Sequence, residues 1–263
     1  GADEYRPTEH LYGQDPRVLT QLDLEERLAT GDLGDARAVA MIQCVGCRRD
    51  DRNYCARICC TQAIKNALRL KQQRPDLEVY ILFRDMRTYG LAEDRYREAA
   101  AKGVSFVRFE AAQGPVVEPV EDEGRSVLRV TVPDPVLGQK LALDVDLVVL
   151  SAAVVPSAGS QDAARLFKMA TNPDGFLQEA HVKLRPVDAA GDGLFICGAA
   201  HYPKHISETI AQALGAAGRA GCVLSHDSVT ASGAICRVEE RDCVSCGACI
   251  TAWRTRSPRR ASR

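Results

Sequence analysis

The chain has 263 residues, 46% of them hydrophobic and 26% charged, with a formal net charge of −1. That length suits one large domain or two small ones, and the mixture excludes collagen, coiled coil and wholesale disorder. The last eleven residues hold five arginines and no acid, which leaves −6 on the rest, so nucleic acid finds no basic face outside a short tail.

Residues 4 to 16 are rich in turn formers and read as a loop. Thr20 offers a helix N-cap, Leu24 and Leu28 share a face, and Gly31 supplies a stop, which predicts a short helix. Residues 36 to 43 form a buried strand running into Cys44-Val45-Gly46, and a helix is expected from Cys55 to Gln73, stopped by Pro75. A strand over 78 to 83, a helix over 93 to 102 closed by Gly103, and a strand over 104 to 109 complete a β-α-β-α-β pattern. Such a pattern signals a parallel sheet with crossover helices. Residues 125 to 132 and 139 to 146 read as paired antiparallel strands around Pro133-Asp134-Pro135, and 147 to 150 as a fully buried strand.

Further along, residues 172 to 175 form a turn, 194 to 197 a short buried strand, and 207 to 220 a small-residue helix. That helix carries Ile206, Ile210, Leu214 and Ala217 on one stripe, suited to close approach by a neighbour, and core thiols are expected at Cys197 and Cys222. The longest apolar run, residues 147 to 155, is about half of the ~20 needed to span a bilayer, and no signal peptide opens the chain. A cytoplasmic protein without a membrane span is expected. The chain opens Gly-Ala-Asp, and we expect it to be a piece of a longer protein.

Eleven cysteines stand out, nine of them in two short windows. Tight clusters in a chain of this size read as metal or redox sites and not as a disulfide framework. In the first window Cys44 follows a strand, while Cys55, Cys59 and Cys60 are expected in the first turns of the next helix, whose N-terminal N–H groups stabilise thiolates. Four such thiolates can ligate a [4Fe–4S] cluster. Zinc, a Cys44/Cys47 thiol redox pair and plain buried thiols remain the other readings of the same residues. In the second window Cys243, Cys246 and Cys249 make the CxxCxxC run that opens a bacterial ferredoxin site. The completing cysteine is replaced by Trp253, Cys236 is the nearest fourth thiol, and a frame change or fragment end is expected near residue 252.

Three segments carry a family resemblance: Met41-Ile42-Gln43-Cys44-Val45-Gly46, then Tyr54-Cys55-Ala56-Arg57-Ile58-Cys59-Cys60-Thr61-Gln62-Ala63-Ile64-Lys65, then Tyr80-Ile81-Leu82-Phe83-Arg84-Asp85-Met86-Arg87-Thr88-Tyr89-Gly90. They resemble the A-subunit of heterodisulfide reductase and, beside it, flavoprotein subunits of quinone-interacting oxidoreductase complexes. The resemblance runs from about residue 4 to about residue 250. It implies a [4Fe–4S] cluster on Cys44, Cys55, Cys59 and Cys60, with serine usual at position 47, which makes Cys47 a spare. It also implies that the strand and turn at 193 to 200, with the helix start after it, close over FAD through Gly198, Ala199, Ala200, Lys204 and Ile206. His201 and His205, beside that turn, are proton carriers or ordinary surface histidines. Arg84, Asp85 and Arg87 are cofactor or partner contacts or a solvated ion pair. No GxGxxG is present, so only half an FAD site is expected, and NAD(P) is not.

The fold class expected is α/β, a thioredoxin-reductase-like FAD/NAD(P)-binding fold with parallel sheet and β-meander, followed by a truncated ferredoxin-like segment. Its parts are a connecting segment over 1–35, a nucleotide-domain-like unit carrying the cluster over 36–155, the C-terminal part of an FAD domain over 156–225, and the ferredoxin-type segment with its basic tail over 236–263. The function expected is that of an oxidoreductase component passing electrons between FAD and [4Fe–4S] clusters to other subunits and to ferredoxin-like or dehydrogenase partners. A non-catalytic metal-binding scaffold and a thiol–disulfide oxidoreductase are the alternatives.

Overall fold

The structure is a computed structural model that describes residues 1–122, 124–135, 138–228 and 240–249. Its elements, in chain order, begin with β1 (Ala2–Glu4), β2 (Val18–Thr20), α1 (Gln21–Thr30), β3 (Ala38–Val45), α2 (Cys59–Gln73), β4 (Glu78–Phe83), α3 (Ala92–Ala101) and β5 (Val104–Arg108). They continue with β6 (Val116–Asp122), β7 (Arg125–Asp134), β8 (Gln139–Val145), β9 (Leu147–Ala152), β10 (Val154–Pro156), α4 (Ser160–Leu166) and α5 (Ile206–Leu224).

Five strands form a parallel sheet in the order β2-β9-β3-β4-β5. β3 and β9 lie inside it and are buried almost throughout, as strands covered on both faces must be. On one face α1 and α2 seal Leu24, Met41, Ile64, Leu70 and Ile81 into a core. On the other, the antiparallel sheet β6-β7-β8 covers Ile42, Leu82, Leu128, Val148 and Leu150. The α/β class with parallel sheet and meander is therefore as the sequence implies.

Local chemistry sets the ends. Thr20 and Asp23 form a reciprocal capping box at the start of α1, and Gly31 closes it in the left-handed region at φ 76°. α2 stops at Arg74, the residue before Pro75. Two expectations fail. Residues 194 to 197 make only a bridge, Asp188 with Phe195, and no strand, so Cys197 is exposed; Cys222 is exposed as well, on α5 rather than past it. On the α5 stripe Ile206, Ile210 and Leu214 are 74%, 53% and 69% exposed among the described residues, and only Ala216 of the helix is buried.

The chain divides into two compact units, Gly1–Val223 and Leu224–Arg263. Among the described residues no helix is long and apolar enough to cross a membrane.

Candidate functional site

Three cysteines and their neighbours gather where β3 and β9 end. Cys47, Ala56, Cys59, Cys60 and Ala153 form a small buried cluster, with Tyr5, Cys44, Met86 and Val154 packed on it. β3 delivers Cys44 through an irregularity: the register against β9 shifts between Ile42 and Val45, and Cys44 itself sits at φ 65°. Arg48 and Arg57 are also left-handed, at φ 57° and 64°. Three such non-glycine residues within fourteen positions are strained backbone, which concentrates where side chains must be aimed.

Arg57 corrects the sequence reading of Cys55. Its left-handed backbone cannot continue a helix, so α2 begins only at Cys59 and Cys55 lies in the loop before it. The loop holds itself together with the Arg57 N–H donating to Cys55 Sγ at 3.3 Å and the Ile58 N–H donating to the Ala56 carbonyl at 2.7 Å. The arrangement is thus one thiol from a strand exit, one from a loop and two from a helix start.

The sulfurs sense each other. The neighbouring Cys47 thiol, together with the Arg48 and Arg84 guanidiniums, brings Cys44 down to about 6. The same contact, with burial, pushes Cys47 up. Cys59 and Cys60 influence each other in the same way, so Cys60 is lowered and the deeply buried Cys59 raised. One sulfur in each pair, Cys44 and Cys60, is therefore shifted toward the thiolate, the form that binds metal. Asp85 braces this nest: its carboxylate meets Arg48 at 2.6 Å and its carbonyl accepts from Cys60 Sγ at 3.8 Å. An open cleft of about 570 Å³ lies beside it, lined by Cys44, Cys47, Arg48, Arg84 and His10 among others.

Among the described residues no three cysteine, histidine or acidic groups are drawn close enough to hold one metal ion. A tetrahedral zinc with Zn–S near 2.3 Å needs its sulfurs roughly 3.8 Å apart. A cubane cluster asks for wider spacing, because each thiolate bonds a different iron. Of the four, Cys44, Cys59 and Cys60 share the nest with Cys47, and Cys55 lies in the adjoining loop; thiols on separate elements suit a centre with a separate iron for each thiolate.

The turn at Gly198–Ala200 is a single 3₁₀ turn with Gly198 at φ 70°. Its polar groups are largely engaged within the protein. The Gly198 N–H donates to Gln212 Oε1 at 2.9 Å, and the Lys204 ammonium donates to both the Gly198 carbonyl and Gln212 Oε1 at 2.6 Å. Lys204 also lies 3.9 Å from the Tyr202 ring centre, and burial lowers it to about 8. His201 is buried between Glu179 and Gln212, each at 2.7 Å, so the surface-histidine reading fails for it. Ala199 and Ala200 are partly exposed and Ile206 is open. The Gly198 amide is thus occupied, which leaves Ala199, Ala200 and Ile206 as the residues of this turn open to an approaching group.

One side chain joins the two places. Arg57, in the cysteine loop, donates to Glu208 Oε1 on α5 at 2.7 Å, to Tyr89 Oη at 3.2 Å and to the Pro203 carbonyl at 3.5 Å. Nothing in the sequence marks that contact.

No family model matches the chain. Individual relatives do. It is 35% identical, over 95% of its length, to the second CoB–CoM heterodisulfide reductase iron-sulfur A-subunit of Methanopyrus kandleri. Over 81% of its length it is 39% identical to the A-subunit of ferredoxin:CoB-CoM heterodisulfide reductase of Methanosarcina acetivorans. Over the stretch it covers, the chain is similar to heterodisulfide reductase A-subunits. It spans 40% of the first of these relatives and 26% of the second. Among solved structures it is similar in fold to T. acidophilum thioredoxin reductase, with TM-score 0.53, 13% identity, and 88% of this chain and 64% of that one covered. Lactococcus lactis thioredoxin reductase gives 0.52 at 16% identity, with 84% and 62% covered. The fold is the thioredoxin-reductase-like one.

In the second unit Cys243, Cys246 and Cys249 are exposed, with Ser245 and Gly247 in left-handed conformations between them. Cys236 and the tail beyond residue 249 lie outside the described residues.

Proposed function

We propose that the chain is the electron-carrying part of a heterodisulfide-reductase-like oxidoreductase, holding a [4Fe–4S] cluster on Cys44, Cys55, Cys59 and Cys60. The observation that carries this reading is adjacency. The cysteine nest and the turn from Gly198 to Ile206 are bridged by the one guanidinium of Arg57, so a redox group in each would face the other across a single side chain. When bound, the cluster supplies one-electron chemistry and FAD the exchange between electron pairs and single electrons.

The protein's part is to position and to shield. Cys44 and Cys60 offer sulfurs already polarised by their neighbours, and Arg48 balances negative charge at 3.9 Å from Cys44 Sγ. Gly198, Ala199, Ala200, Lys204 and Ile206 form one wall of the FAD site. Cys243, Cys246 and Cys249 contribute to a ferredoxin-type centre leading to other subunits or a ferredoxin-like partner. Residues 1–35 serve as a connecting segment, 36–155 as the cluster-bearing unit, 156–225 as part of an FAD domain and 236–263 as a ferredoxin-type segment; the complex works in the cytoplasm.

Anaerobic reconstitution tests the reading. The chain takes up iron and acid-labile sulfide in equal amounts, and Ser at 44, 55, 59 or 60 removes the uptake of the first centre while Cys47→Ser keeps it. Stoichiometric zinc without sulfide refutes the electron-carrier function. The contact that lowers Cys44 and raises Cys47 favours a second reading, a thiol–disulfide pair, and full redox activity in Cys47→Ser eliminates that one. Titration with FAD gives weak binding if this chain supplies only one wall.

A further inference from the structure

Gln43 immediately precedes Cys44 and is 2% exposed, yet neither its Nε2 nor its Oε1 has a hydrogen-bond partner among the described residues. A buried carboxamide with both ends unmet is rare and needs a reason. Side chains alternate along a strand, and Val39 and Met41 of β3 face the core beneath α1 and α2. Gln43 follows two positions on, at the end of β3 where the register against β9 shifts.

The buried polar groups around α1 and α2 are matched to each other only in part, Asn66 Oδ1 and Thr61 Oγ1 also having no hydrogen-bond partner among the described residues. Gln21 Nε2 donates to Ser151 Oγ at 3.1 Å, and Asn66 Nδ2 donates to Gln21 Oε1 at 2.7 Å. Gln43 takes no part in that chain of bonds. Gln43 instead lines the same cleft as Cys44, Cys47 and Arg48.

We infer that the Gln43 carboxamide donates its N–H to the sulfur shell of the cluster held by the neighbouring cysteines, and so raises the cluster's reduction potential. The inference rests on the cluster reading above. A hydrogen bond to sulfur stabilises the extra negative charge of the reduced state, one of the recognised ways in which a protein sets such potentials. Gln43 is in this sense a tuning residue and no ligand; its loss leaves the four thiols in place.

The test is an EPR-monitored redox titration of the anaerobically reconstituted chain, wild type beside Gln43→Leu and Gln43→Met. Each variant that takes up iron and sulfide at the wild-type level shows a more negative midpoint potential. An unshifted potential overturns the inference, and is the result expected if Gln43 merely binds an interior water. A second reading needs no variant: wild-type chain labelled with 15N in its glutamine side chains shows a hyperfine coupling from one such nitrogen to the reduced cluster, and absence of that coupling overturns the inference. Wild-type chain that takes up no iron and sulfide overturns the cluster reading itself, an outcome plainly different from an unshifted potential.

Discussion

Gly46→Ala, one residue past β3, tests how tightly the N-terminal segment is clamped over the cysteines. Gly46 is left-handed at φ 72°, and a β-carbon there would land on the near edge of the Tyr5 ring, at Cδ1 and Cε1. The ring has little room to yield. Its backbone N–H is bonded to the Ala153 carbonyl at 2.8 Å, and the Arg52 guanidinium lies 4.6 Å over its face. Gly31 is the matching control, with φ 76° and open space around its hypothetical β-carbon. Both substitutions carry the left-handed penalty, roughly 1–2 kcal/mol, and both gain the same reduction in unfolded-state freedom. Only Gly46→Ala adds overpacking, roughly 1–3 kcal/mol. Urea unfolding of the reduced, metal-free chain followed by far-ultraviolet circular dichroism gives both values by linear extrapolation. Gly46→Ala is expected to cost about 1–3 kcal/mol more than Gly31→Ala. Equal losses in the two variants would show that Tyr5 is not seated against the loop, and the argument would fail.

Thr20→Ala removes one half of the α1 capping box and should destabilise by about 1 kcal/mol, read from the same unfolding curves. A double-mutant cycle on Arg57→Ala and Glu208→Ala, a pair at 2.7 Å with both side chains partly exposed, should give a coupling of about 0.5–1 kcal/mol, and zero coupling would deny the bridge. Burial lowers Lys204 to about 8, below the value near 10.4 of an unfolded chain. Between those two pH values the unfolded state binds the extra proton, so unfolding free energy rises with pH there, and Lys204→Met flattens that rise. Asp188, buried and held low by Arg219 at 3.1 Å, acts in the opposite part of the scale. Its contribution is complete above the ordinary aspartate value and disappears as pH falls through its depressed one, a loss that Asp188→Asn abolishes in acid unfolding curves.

What the sequence discloses follows the range of the forces involved. β4 lies where its apolar run predicts, residues 78 to 83, and α1 begins and ends at Thr20 and Gly31, because caps and alternation act over a few residues. The one-turn spacing of Cys55 from Cys59 predicts a helix through both, and only the left-handed Arg57 breaks it. β6, over 116 to 122, is hidden in the sequence because Glu118, Pro119, Glu121 and Asp122 dilute its alternation, and its stability comes from pairing with β7. β2 is three residues long and exists only because β9 lies beside it. The stripe on α5 is visible as a pattern, but a periodic apolar face does not say what covers it. The link from Arg57 to Glu208 spans 151 positions and leaves no trace in either local segment.

That link has an electrical consequence. The Arg57 guanidinium is held firmly protonated by Glu208 and Tyr89, so a permanent cation stands between the thiol loop and the start of α5. Negative charge arriving on either flank meets an attractive field, and the flank that loses it is spared the repulsion of a bare neighbour. Neutralising the arginine would make both flanks reluctant to accept charge at once, even where every sulfur and every turn amide stayed in place.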